Sequence, residues 1–101
     1  MENKFDISAF VNALTEEKVT KDLVDRVKER RKELKISQKE LSTRTLVSYG
    51  SIRRFENSGQ ISLTSLIRIA NALNCLSDFN LLFKTKQITN LKDYKVWLKT
   101  F

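Results

Sequence analysis

The chain has 101 residues, 41% of them apolar, and 19 basic against 12 acidic residues give a net charge of +7. That is enough for one domain with its own core and too apolar for a disordered chain, and its basic balance suits a polyanionic partner. No Pro and only two Gly disfavour a β-rich fold with many tight turns and point to an all-α fold; no His and the single Cys75 exclude a disulfide within the chain and a Cys/His zinc site.

Residues 1–17 carry net −3, 18–59 carry +6, 60–83 are neutral and 84–101 carry +4. The positive charge therefore lies in the middle of the chain and in its tail. No stretch is apolar enough to span a membrane and no signal pattern opens the chain, so a cytoplasmic protein without a membrane contact is expected.

Ile7, Phe10, Val11 and Leu14 follow helical spacing and predict a short amphipathic helix over 5–14. A polar break follows at 15–18. One local pattern then recurs: an apolar residue, a Ser or Thr, and another apolar residue four positions later. It appears at Val19-Thr20…Val24, Ile36-Ser37…Leu41, Val47-Ser48…Ile52, Ile61-Ser62…Leu66 and Leu76-Ser77…Leu81. A hydroxyl at a helix start accepts a bond from an unpaired N–H of the first turn, and the flanking apolar pair closes over it as a staple. Glu40, three residues after Ser37, fits a capping box there.

These five starts predict helices over about 20–34, 37–44, 48–57, 62–73 and 77–83. Leu23, Val27 and Leu34 face inward in the first, with Arg30, Arg31 and Lys32 outward. Leu63, Leu66, Ile67, Ala70 and Leu73 form the apolar face of the fourth, and Phe79, Leu82 and Phe83 that of the fifth. Cys75, in an apolar run, is expected as a buried structural thiol. Residues 84–101 hold Ile88, Leu91, Val96, Trp97, Leu98 and Phe101, too apolar for a free tail; 86–89 suit a short strand and 91–98 a last helical turn or two.

Three features of residues 37–57 point to reading of duplex DNA. The connection Thr45-Leu46-Val47 is short enough to set two helices at a wide angle, as in a helix-turn-helix. The second helix of the pair turns Val47, Ile52 and Phe55 inward and Ser48, Tyr49, Gly50, Ser51, Arg53 and Arg54 outward. Gly50 in its first turn costs about 1 kcal/mol relative to Ala, and a missing side chain there permits close approach to base edges. A helix start also favours phosphate.

The run Ser37-Gln38-x-x-Leu41, Val47-Ser48-x-x-x-Ile52-x-x-Phe55-Glu56-Asn57, Leu63-x-x-Leu66-x-x-Ile69-Ala70-x-Ala72-Leu73 resembles the Xre/phage Cro–repressor family over about residues 20–75. The resemblance implies a five-helix lambda-repressor-like domain at 19–83. Around it lie an extra N-terminal amphipathic helix at 1–18 and a C-terminal extension at 84–101 for dimer or partner contacts. It also implies roles. Gln38 would bind a phosphate and brace the reading helix. Ser48, Tyr49 and Gly50 would touch bases, as would Arg54, most simply at a guanine O6/N7 edge. Ser51 and Arg44 would hold backbone, Arg53 is placed for either role, and Asn57 and Ser62 would face flanking phosphates. Glu56 would pair with a structural Arg. The family usually has Gly just before the Val of the turn, where this chain has Leu46; a strained or reshaped turn is implied.

Ser51-Ile52-Arg53-Arg54-Phe55-Glu56, Gln60-Ile61-Ser62-Leu63, Leu73, Asp78-Phe79 and Leu82-Phe83 further resemble the HipB-type antitoxin branch. That likeness implies a dimeric repressor of its own operon that also engages a HipA-like kinase toxin or companion subunit. A stand-alone Xre-type regulator is the alternative. Tyr94, Trp97 and Phe101 are candidate anchors for a partner. The mixed-sign run 28–35 reads as a solvated helix face. Scattered acids and bases, with no partnered nucleophile, phosphate loop or metal cluster, argue against an enzyme, and no cofactor is expected. The basic face shows no aromatic platforms for RNA bases.

Overall fold

The computed structural model describes residues 14–85. The segment expected as a helix over 5–14 and the tail beyond 85 lie almost wholly outside these residues; Leu14 is described and exposed. The fold is all-α. Helix α1 spans Glu16–Glu33, α2 Gln38–Thr45, α3 Tyr49–Ser58 and α4 Leu63–Ala72, and a short 3-10 helix follows at Leu76–Leu81. Among the described residues there is no strand.

Three of the predicted starts stand. The hydroxyls of Ser37, Ser48 and Ser62 accept from the N–H groups of Glu40, Ser51 and Ser65 at 3.0, 3.0 and 3.1 Å. Two starts are corrected. Thr15, not Thr20, caps α1, accepting from Lys18 N–H at 3.1 Å. The stretch expected as a polar break is thus the cap and first turn, with Glu16 and Glu17 where the helix dipole favours acids. Thr20 lies inside α1 and donates to the Glu16 carbonyl. Ser77 caps nothing, because the last segment is a 3-10 turn without a side-chain cap. At α2 the box is half-made: the Glu40 carboxylate turns to Arg44.

The core is one cluster of Ile36, Leu41, Val47, Ile52, Ile69 and Leu73, with Val27, Ile61, Ala72 and Cys75 packed against it. Phe55 and Val24 are also buried. Helix α2 packs on both α3 and α4, α1 on α3, and the 3-10 helix on α4. Several inward assignments change. Ile69 is buried on α4, whereas Leu63 is 64% exposed at its first turn. Leu34 caps α1 and is exposed. Leu82 and Phe83 are exposed and only Phe79 of that trio is half-buried. Cys75 is half-buried, its Sγ donating to the Leu73 carbonyl at 3.3 Å.

Arg31 is the largest correction. Expected outward, it is buried with Glu56. A buried charge survives only when paired and hydrogen-bonded, and here it is both. Nε and Nη2 donate to Glu56 at 2.8 and 3.0 Å, and Nη1 donates to the Ile36 carbonyl at 2.9 Å. Arg31 thus ties α1 to α3 and to the start of α2.

With so little Gly, left-handed backbone falls to other residues: Lys35, Leu46, Asn74 and Phe83 have φ of 56 to 63°. Lys35 and Asn74 close Schellman-type ends on α1 and α4, with Ile36 N–H bonded to the Arg31 carbonyl and Cys75 N–H to the Ala70 carbonyl. Gly59, at φ 82°, ends α3. A Cβ there would collide with Thr20 Cγ2, so glycine also lets α3 and α1 meet.

Candidate nucleic-acid interface

The turn between α2 and α3 is held by its own side chains. Leu46 adopts φ 61°, ψ 20°, with its N–H on the Ser42 carbonyl at 3.0 Å. Ser42 Oγ donates to the Val47 carbonyl at 2.6 Å, and Thr45 Oγ1 accepts from Val47 N–H at 3.2 Å. Both backbone groups of Val47 are thereby fixed, and Val47 inserts into the core. The strain expected at Leu46 is present, and its side chain is 84% exposed, so no burial offsets it.

Beyond the turn, α3 divides into two faces. Ile52, Phe55 and Glu56 are buried; Ser48, Tyr49, Gly50, Arg53 and Arg54 are exposed and Ser51 is half-buried. Neither α3 nor α4 has an acid in its first turn, unlike α1 and α2, so both starts keep the positive end of the helix dipole free for anions. Nothing lies within 4 Å of a Cβ built at Gly50. The fold itself makes no demand for glycine there.

The orientation of α3 is set by polar contacts beneath it. The Gln38 amide donates to Glu56 Oε1 at 2.9 Å, which adds α2 to the Arg31–Glu56 pair. Burial alone would push the Glu56 carboxyl up. The hydrogen bonds from Arg31 and Gln38 and the Arg31 charge outweigh it and hold the group below the usual glutamate value. The structural Arg expected for Glu56 is Arg31. Sequence reasoning could have found it: Val24, Val27 and Arg31 share one stripe of α1.

The remaining predicted residues fall in three places. Ser51, Arg54 and Ser62 line one cleft of about 250 Å³ with Gln60, Ile61 and Ser65. Asn57 lies away from that cleft, in a groove with Thr20, Val24 and Lys28. Arg44 is exposed on α2 and paired with Glu40. A residue missed from the sequence joins the leading end: Lys39, whose Nζ sits 5.7 Å from the Tyr49 ring centroid.

A short turn between two helices, the second presenting a polar, basic outer face and an acid-free start, is the architecture of a helix-turn-helix DNA-binding protein. The helix-turn-helix family model matches residues 27–79, just over half of the chain. The chain belongs to this family, in its Xre/Cro-like form, and is a DNA-binding transcriptional regulator. The family is a regulatory one and not a family of enzymes. No curated protein and no solved structure matches the chain. No helix among the described residues is long and apolar enough to cross a membrane.

Proposed function

We propose that the chain is a sequence-specific repressor that binds a palindromic operator as a homodimer. In this reading Ser48, Tyr49, Gly50, Arg53 and Arg54 face the bases from the major groove, and Gln38, Arg44, Ser51, Asn57 and Ser62 face backbone. The observation that carries it is the acid-free, exposed leading end of α3, held over a buried Arg31–Glu56–Gln38 network. One such helix reads only a few base pairs. Two copies with half-sites roughly 34–36 Å apart read an inverted repeat, and occupying a promoter blocks transcription. The DNA-binding domain takes in the α1 cap at Thr15 and runs to residue 83, and 1–14 and 84–101 supply dimer or partner contacts.

The finer reading is a HipB-type antitoxin that holds a HipA-like kinase toxin in the cytoplasm and represses its own operon. Its support is the likeness of residues 51–56, 60–63 and 78–83 to that branch. Selection of bound duplexes from a random pool with the purified chain tests the repressor reading. A palindrome with one-turn half-site spacing is expected; a pool that stays random rejects it. A kinase-like gene beside this one, and its product retained by the full chain but lost on deletion of 1–13 or 84–101, deletions that spare the Thr15 cap of α1, are expected of the antitoxin. A gene that stands alone and a chain that retains no such partner leave a stand-alone Xre-type regulator.

A further inference from the structure

Two cations converge on one aromatic ring at the leading end of α3. Lys39 Nζ is 5.7 Å and Arg53 Cζ 5.6 Å from the Tyr49 ring centroid. Lys39 comes from the first turn of α2, whereas Tyr49 and Arg53 are one turn apart on α3. The ring therefore links both helices of the motif through their charges.

Arg44, on the same helix as Lys39, has a carboxylate within 4 Å, as do Lys18, Lys21, Arg30 and Arg31 of α1. Among the described residues Lys39 and Arg53 have none, and neither does Arg54 beside them; what sets Lys39 and Arg53 apart is that they share one ring. Each has instead the negative face of a ring, a weak attraction at an exposed site. That is weak compensation for two like charges gathered against one side chain. The helix start beside them adds unpaired N–H groups and no acid. The cluster is short of one anion.

We propose that Lys39 and Arg53, propped by the Tyr49 ring, clamp a single phosphodiester of the DNA backbone. The guanidinium fork suits two phosphate oxygens, and the ammonium serves as a point charge beside it. This rests on α3 facing DNA, and it refines that reading by giving Arg53 to the backbone. Arg54 lies about 100° further round the helix, in the cleft with Ser51 and Ser62, and keeps the base.

The test is the salt dependence of operator affinity, measured with the full chain on the selected duplex and on duplexes altered one base pair at a time. Each phosphate neutralised contributes about 0.9 to the slope of log affinity against log salt. Two cations on one phosphate should therefore act as one. The double variant Lys39→Gln/Arg53→Gln is expected to lower the slope by about 0.9 in total. The affinity lost should be the same on every duplex. Tyr49→Leu should lower the slope although both charges remain, by no more than the double variant does, the mark of a prop rather than a charge. A loss of about 1.8 in the double variant would mean two separate phosphates. That result, an unchanged slope, or a changed base preference in Arg53→Gln each overturns the clamp. Wild-type protein and Arg54→Ala run alongside: sequence-specific wild-type binding that Arg54→Ala relaxes isolates a failure to the clamp, whereas no specific binding by the wild type removes the parent reading as well.

Discussion

Replacing Leu46 by Gly tests how the turn between α2 and α3 is held. A residue with a Cβ costs about 1–2 kcal/mol in left-handed backbone, and Leu46 sits there at φ 61°. Gly removes that strain but gives the unfolded chain more freedom, which takes back about 0.4–1 kcal/mol. The Leu side chain is 84% exposed, so its loss forfeits at most about 0.5 kcal/mol of burial. Ala at the same position loses those contacts too and keeps the strain, which makes Gly against Ala the clean comparison. Leu46→Gly should exceed Leu46→Ala by about 1 kcal/mol, the difference between strain relief and chain entropy. Urea unfolding followed by circular dichroism reads this directly, as a midpoint about 1 M higher at a slope near 1 kcal/mol/M. A Gly midpoint at or below that of Ala would refute the strain, and with it the view that Ser42 and Thr45 hold an unfavourable backbone in place.

Arg31→Met leaves a buried carboxylate with only Gln38 and should cost about 3–5 kcal/mol, whereas Arg31→Met/Glu56→Leu should recover most of it; singles within 1 kcal/mol of wild type in the same unfolding assay would contradict the burial. The Glu56 carboxyl is held low in the fold, so its contribution is complete above the unfolded glutamate value, about 4.3, and fades as pH falls through the lower folded value. Glu56→Gln should therefore flatten part of the acid limb of stability against pH, and an unchanged limb counts against that assignment. Gly50→Ala should raise stability by about 1 kcal/mol, since α3 gains a better helix former and no atom obstructs the new Cβ. Under the proposed docking it should also weaken operator binding, so a more stable variant with undiminished affinity argues against close approach. Arg54→Ala should lose about 1–3 kcal/mol of operator affinity and relax preference at one base pair; a footprint titration that shows neither change places the reading face elsewhere.

Local chemistry was legible and tertiary chemistry was not. Ser37, Ser48 and Ser62 were readable because a hydroxyl cap and its staple lie within six residues. Thr20 misleads for the same reason: a Ser or Thr inside a helix, with an apolar residue just before it and another four positions after it, repeats the staple pattern, so Val19-Thr20…Val24 looks like a start. Arg31 carries half a signal: it shares a stripe of α1 with Val24 and Val27, but its partner stands 25 residues away, and a charged residue defaults to the surface when no partner is in view. The exposed residues of α3 could be expected from its two-faced pattern. Lys39 could not, because only the angle between α2 and α3 brings it over Tyr49.

The buried pair under α3 also bears on angular precision. Apolar contacts tolerate small slides and rotations. A carboxylate that accepts both Arg31 donors and Gln38 has far fewer acceptable orientations. A side-chain tip stands about 6 Å from a helix axis, so a turn of roughly 10° displaces it by about 1 Å, already beyond the tolerance of about 0.5 Å for a productive contact. Arg31, Glu56 and Gln38 therefore act as an indexing stop. They fix the rotation of α3 about its own axis, and the outer residues inherit that setting at the end of a lever.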